Sequence, residues 1–202
     1  MDILGEMKQM YMYEAILDIL AKNGPASISS ICQEMNQLNS LHQSVEKTIQ
    51  PSQVKTAITR KKDLFKMKEN VVFIDPEKDI QSLLVNICLG LGPQLTFSVD
   101  FVKNRFVFFE WNLDSTKVST NKISPPKNGG NLEIFKKDLY RIRIWDWEGE
   151  YHPQGIVLDG PSWSIKLVTM GKVYQSEGHQ HFPKDWKSLC RGLSKLTGID
   201  LN

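Results

Sequence analysis

The sequence predicts an α+β protein in which a helical N-terminal domain, residues 1–76, precedes a small α+β domain, residues 95–202. Two observations lead to this prediction. Before residue 62 the apolar residues recur at intervals of three and four, as in amphipathic helices, whereas after residue 95 they alternate with polar residues, as in strands. Hydrophobic residues make up 41% of the 202 residues, so each domain can bury a modest core of its own.

The N-terminal domain opens with two predicted helices. Apolar side chains at helical spacing predict the first over Tyr11–Lys22, and Gly24 ends it. Either Ser27 or Ser29 is predicted to open a second, short helix that ends near Asn36.

A third, cationic helix is predicted after the polar residues 37–50, with Ser52 as its cap. Val54 and Ile58 lie four residues apart, so they share the inward face of this helix. A short strand is predicted over Val71–Ile74. The order of helix, turn, helix, loop, helix and strand is typical of a winged helix-turn-helix.

Short runs in this region resemble the HARE-type winged helix-turn-helix domains. The matching runs are Tyr13–Leu17, Gly24–Ile28, Pro51–Ile58, Asp63–Phe65 and Val71–Ile74. The resemblance covers about the first third of the chain and implies a winged helix of a kind found in a bacterial RNA polymerase subunit, in chromatin proteins and beside restriction enzymes. The Trp163 hairpin together with Gly178–Trp186 resembles small uncharacterised bacterial domains, which implies no function.

The third helix and the segment after it carry the residues predicted to contact DNA. The net charge of +2 excludes a uniformly basic protein, so DNA binding depends on a local patch. Lysine and arginine side chains suit phosphates, whereas amide and hydroxyl side chains suit base edges. Phosphate contacts are predicted for Lys55, Arg60, Lys61, Lys62, Lys66 and Lys68, and base-edge contacts for Gln53, Thr56 and Thr59. The alternatives are a surface for protein contacts and a purely solvated helix face.

Residues 77–94 are predicted to form a linker helix or hinge between the domains. Ile80, Leu83 and Ile87 share a face at helical spacing before Gly90 and its neighbours break the chain.

The domain over residues 95–202 is predicted to contain antiparallel strands and a C-terminal helix. Strands are predicted at Thr96–Phe101, Phe106–Trp111, Trp163–Val168 and Val173–Ser176, and a helix at Lys184–Leu196. Residues 132–145 are ambiguous, with a helix possible at Glu133–Leu139 and a strand at Tyr140–Trp145. The tryptophans, all in this domain, are expected to build its core, although some could line a ligand groove.

The histidine pair His179 and His181 is the candidate for a metal site. In a strand the two imidazoles would point to one face, where Glu177, His152 or Asp159 could complete the ligand set. A turn or a polar surface is the favoured interpretation, and no cofactor is expected. The acids at Asp146, Glu148, Glu150 and Asp159 have no lysine at nuclease spacing, and nucleotide-binding or acyl-transfer motifs do not occur.

The sequence predicts a cytoplasmic protein without a membrane partner. Cys32, Cys88 and Cys190 are odd in number and far apart, which favours a reducing compartment. The first twelve residues lack the pattern of a secretory signal, and the apolar stretch Ile80–Leu91 is shorter than the ~20 residues that a spanning helix needs.

The expected function is therefore non-enzymatic binding of duplex DNA, in transcriptional regulation or as an accessory to restriction or phage defence. The C-terminal domain would sense, oligomerise or recruit, and a homodimer would suit two half-sites. The competing hypotheses are a protein-interaction adaptor and, third, a metal-dependent hydrolase that uses His179 and His181.

Overall fold

The structure is a computed structural model that describes residues 11–41, 48–90, 92–111, 129–153, 155 and 160–201. It confirms the α+β class and the helix near the C-terminus. The chain divides into two compact units, Met1–Lys78 and Asp79–Asn202, which are called unit 1 and unit 2. No helix within the described residues has the length and apolar character needed to cross a membrane.

The described residues of unit 1 form three helices and a small sheet. Its elements are α1 (Met12–Asn23), β1 (Ala26–Ser27), α2 (Ile28–Leu41), α3 (Pro51–Arg60), β2 (Phe65–Lys68) and β3 (Val71–Ile74). The strands are antiparallel in the order β1-β3-β2. Each helix contributes to the core, since Ile16, Ile31 and Val54 are fully buried, as is Val72 of β3.

Local signals set the boundaries of the first two helices. Gly24 adopts φ 78° and donates its N–H to the Leu20 carbonyl at 3.0 Å, which ends α1 as predicted. Ser27 caps α2, because its Oγ accepts a hydrogen bond from the Ser30 N–H at 3.1 Å.

The predicted end of the second helix near Asn36 is wrong, because α2 continues to Leu41. The Asn36 side chain binds the returning chain instead: its Nδ2 donates to the Ile49 carbonyl at 3.0 Å, and its Oδ1 accepts from the Ile49 N–H at 2.8 Å. Asn36, which the sequence suggests as the end of the helix, instead forms a tertiary contact with the backbone of Ile49.

Unit 2 is built on a six-stranded sheet. Its strands are β4 (Ile80–Cys88), β5 (Gln94–Asp100), β6 (Arg105–Trp111), β7 (Glu150–Tyr151), β8 (Ser162–Thr169) and β9 (Val173–His179). The order across the sheet is β6-β5-β4-β8-β9-β7, and every pairing is antiparallel except β7 with β9. The helices among the described residues of unit 2 are α4 (Leu132–Ile142), a 3-10 turn at Ile144–Asp146, and α5 (Trp186–Thr197). Both predicted hairpins and the C-terminal helix are confirmed.

The predicted linker helix within residues 77–94 is wrong, because Ile80–Cys88 forms the strand β4 between β5 and β8. Leu83, Val85 and Ile87 alternate onto the buried face of the sheet. In a short apolar run, the spacing of apolar residues fits both a helix and a strand. The spacing alone therefore could not distinguish a linker helix from a strand. Unit 2 therefore begins at Asp79 rather than at residue 95.

The possible strand at Tyr140–Trp145 is also wrong. Asn131 caps α4 through its Oδ1, which accepts from the backbone N–H groups of Glu133 and Ile134. The helix then runs to Ile142, where Arg143 in the left-handed conformation ends it. Buried side chains at three- and four-residue spacing, among them Phe135 and Leu139, hold this helix in the core.

Aromatic side chains join the helices to one face of the sheet. The centre of the Trp163 ring of β8 lies 4.7 Å from the centre of the Trp186 ring on α5. The Trp163 ring also contacts the rings of Trp147, Tyr151 and Phe182. Trp145 and Trp163 are buried, as expected for core tryptophans, but Trp111 is 60% exposed.

The cysteines of unit 2 should differ in reactivity. Burial raises the pKa of the Cys190 thiol to about 11, so about one such side chain in a thousand is the reactive thiolate at pH 8. Cys88 is partly exposed. We expect iodoacetamide to alkylate Cys88 in the folded protein and to spare Cys190 until denaturant is added, as measured by peptide mass spectrometry. Equal rates at both sites in the folded protein would contradict this prediction.

Candidate nucleic-acid interface

The helix α3 presents one buried and one exposed face. Val54 and Ile58 are buried, as predicted. At about 100° per residue, Thr56 lies on the side of α3 opposite to these two residues. Lys55, Thr59 and Arg60 flank it, and all of these side chains are exposed. The predicted polar surface is therefore a continuous face of a single helix.

The start of α3 differs from the predicted Ser52 cap. The cap position is Gln50, Pro51 occupies the first turn, and the Oε1 atom of Gln53 accepts a hydrogen bond from the Gln50 N–H at 2.8 Å. A side chain that reaches back in this way satisfies a backbone donor that the helix itself leaves free. Gln53, predicted to read a base edge, is exposed but also fixes the helix start.

The two threonines bond to their own helix. Thr56 Oγ1 donates to the Ser52 carbonyl at 2.8 Å, and Thr59 Oγ1 donates to the Lys55 carbonyl at 2.9 Å. Each hydroxyl proton is thereby used, while the oxygen retains its acceptor capacity. Both side chains can accept a hydrogen bond from a base amino group, but donation would require the hydroxyl to rotate.

Two of the six predicted phosphate ligands already have partners within unit 1. Lys66 Nζ lies 3.0 Å from Asp75 Oδ2, which forms an ion pair. Lys61 Nζ lies 4.7 Å from the centre of the Tyr13 ring, a cation–π contact. These contacts tie the two cations to neighbouring elements of the fold.

The remaining cations, Lys55, Arg60, Lys62 and Lys68, are exposed and form no ion pair with any residue that the structure describes. Lys55 and Arg60 lie on α3, Lys62 follows the helix, and Lys68 ends β2.

The turn between β2 and β3 is tight. Glu69 and Asn70 adopt φ 52° and 64° there, values that suit a two-residue hairpin. The hairpin thus sets Lys68 at a sharp turn, where its charge is accessible.

The histidine pair is separated by the backbone. The strand β9 ends at His179, and Gln180 with φ 54° turns the chain, so the two imidazoles do not share a strand face. The His181 carbonyl accepts a hydrogen bond from Trp163 Nε1 at 2.8 Å, while its side chain is exposed. No group of three metal-ligating side chains occurs within the described ranges, and Asp159 lies outside them.

A polar cavity on the other face of the unit 2 sheet is absent from the sequence predictions. Thr96 Oγ1 donates to Asn86 Oδ1 at 2.9 Å, and Asn86 Nδ2 donates to Ser164 Oγ at 3.2 Å, which forms a row across three strands. The cavity beside this row has a volume of about 410 Å³, and its lining includes Cys88, Gln94, His152, Ser162, Glu177 and His179. The row was missed because Asn86 falls in the predicted linker helix.

No protein-family model matches this chain, and neither a curated protein nor a solved structure matches it.

Proposed function

We propose that unit 1 is a winged helix-turn-helix of the HARE type and that it binds duplex DNA without catalysing a reaction. In this proposal α3 enters the major groove and the β2–β3 hairpin approaches the flanking backbone. The element order α1-β1-α2-α3-β2-β3, with the three-stranded antiparallel sheet, supports it. Unit 2 then serves for sensing, oligomerisation or recruitment, in transcriptional regulation or as an accessory of restriction or phage defence.

The observation that carries this proposal is the set of uncompensated cations around the exposed face of α3. Lys55, Arg60, Lys62 and Lys68 have no ionic partner among the described residues, so a phosphate need not displace one. Lys61 and Lys66 contribute less, because each would have to leave Tyr13 or Asp75. Thr56 is the favoured base-edge contact, since it lies on the side of α3 opposite to the buried Val54 and Ile58.

A salt series tests the proposal. With about four phosphate contacts, the logarithm of the binding constant should fall with the logarithm of salt concentration at a slope of about −3 to −4. Affinity for a labelled random duplex should then decrease roughly 100-fold between 50 and 200 mM salt, as measured by fluorescence anisotropy with the full chain. No binding at 50 mM salt, or binding that does not depend on salt, would contradict the proposal.

A protein-interaction adaptor is the second candidate. Met67 on β2 is 54% exposed and Val71 on β3 is 37% exposed, so the hairpin offers apolar side chains beside Lys68. Apolar surface of this kind suits a protein partner better than a phosphate backbone. The adaptor hypothesis gains support if the salt series shows no DNA binding.

A further inference from the structure

The strand β6 differs from the other strands at the edges of the two described sheets. The edges of unit 1 are β1, with two residues, and β2, which carries Lys66 and Lys68. In unit 2 the edge opposite to β6 is β7, which also has two residues. Short strands and lysines are the usual means by which proteins keep an edge strand from pairing with another chain.

β6 has neither protection. It runs for seven residues, Arg105–Trp111, in an unbroken register with β5, and it contains no lysine or proline. Val107, Phe109 and Trp111 alternate along one side of the strand and are each about half exposed. The centres of the Phe109 and Trp111 rings lie 6.4 Å apart, so they form one apolar surface beside a backbone edge that pairs with no strand among the described residues.

We propose that β6 pairs antiparallel with β6 of a second copy of this chain, so that two unit 2 sheets become one continuous sheet in a homodimer. This inference goes beyond DNA binding and does not depend on it. The pairing would satisfy the backbone groups on the outer side of β6, with roughly six to eight hydrogen bonds across the two-fold axis.

The residue order of β6 favours a second copy as the occupant. A register centred on Phe108 pairs all seven residues and keeps the exposed side of each strand on the same face of the joint sheet. Val107 then lies opposite Phe109 of the second copy, and Arg105 lies opposite Trp111. At each end of the pairing Arg105, which also lies 3.9 Å from Asp100 Oδ2 of its own chain, faces a Trp111 ring, and like charges do not face each other at any position.

Neighbouring registers are less favourable. Centring on Val107 leaves Trp111 without a strand residue opposite it, and centring on Phe109 leaves Arg105 without one. An antiparallel arrangement also brings the end with Arg105 toward the end of the second copy that carries Glu110, whereas a parallel one would align like charges.

The oligomeric state of the full chain tests the proposal. Light scattering after size-exclusion chromatography, with loading concentrations up to about 100 μM, should give twice the chain mass of 23.2 kDa. Val107→Lys should raise the dimer dissociation constant at least tenfold. The matched control is Val173→Lys, which adds the same charge at a half-exposed valine of β9 and should leave the dimer intact. Circular dichroism confirms that both variants fold.

Cross-linking tests the register. An equal mixture of the Val107→Cys and Phe109→Cys variants should form a disulfide between positions 107 and 109 on mild oxidation, and neither variant alone should link efficiently to itself. A monomer at every concentration, an equal effect of the two lysine variants, or self-linking of Val107→Cys would each overturn the proposal. The first of these outcomes would show that β6 is left unpaired or is covered by a segment of its own chain.

Discussion

The triple variant Lys55→Glu, Arg60→Glu, Lys62→Glu is expected to lose at least roughly 100-fold in affinity for duplex DNA at 50 mM salt. Each substitution replaces a cation with an anion, so a counterion-releasing contact becomes a repulsion from the phosphate backbone. The variant should fold, because these side chains are exposed and form no ion pair with the described residues. Fluorescence anisotropy with a labelled random duplex measures the loss, and circular dichroism checks the fold.

A matched control separates a local effect from a change in net charge. Lys184→Glu, Lys187→Glu and Arg191→Glu alter the same residue types by the same total charge at exposed positions of unit 2, at or just before α5. This control should keep most of the affinity. If the α3 variant binds as tightly as the control, α3 is not the DNA-binding surface.

Gly178→Ala is expected to lower the free energy of unfolding by about 2–4 kcal/mol, as the sum of overpacking and a weakened hydrogen bond. A Cβ atom at Gly178 would lie 2.6 Å from Trp163 Nε1 and 2.7 Å from the His181 carbonyl oxygen. These two atoms form the hydrogen bond that joins β8 to the chain after β9. The added methyl group therefore has to displace an indole or a backbone carbonyl, and neither can move without disturbing the aromatic core.

Chemical denaturation followed by circular dichroism measures this effect. Gly149→Ala is the control, because a Cβ at Gly149 would have no described atom within 4 Å and its φ is not positive. Its stability should stay within about 0.5 kcal/mol of the parent protein. A Gly178→Ala variant as stable as the control would show that the Trp163 contact is easily rearranged.

Sequence reasoning was most successful where the signal is local. The helix stop at Gly24, a serine cap at Ser27 or Ser29 and the hairpin of β8 and β9 each depend on a few adjacent residues; all are present in the structure, with Ser27 as the cap. The strand β4 was misread because Leu83, Leu84 and Ile87 fit a helical period, whereas its place in the sheet depends on partners far along the chain.

The candidate site shows the same division. The exposed face of α3 follows from the spacing of Val54 and Ile58, so its polar residues could be named from the sequence. The partners that engage Lys61 and Lys66 are Tyr13 and Asp75, and spacing within α3 carries no information about either. Similarly, His179 and His181 alternate in the sequence, but the left-handed Gln180 between them ends the strand.

The placement of the tryptophans divides the chain for spectroscopy. All five tryptophans occur after residue 78 and therefore belong to unit 2. In unit 1, the aromatic side chains at α1 are tyrosines: Tyr13 in the helix and Tyr11 just before it. Tryptophan emission, excited near the red edge of the absorption band, therefore reports on unit 2 alone, while far-ultraviolet dichroism also includes the helices of unit 1. Comparison of the two signals distinguishes independent melting of the units from a single cooperative transition, without the need to cut the chain.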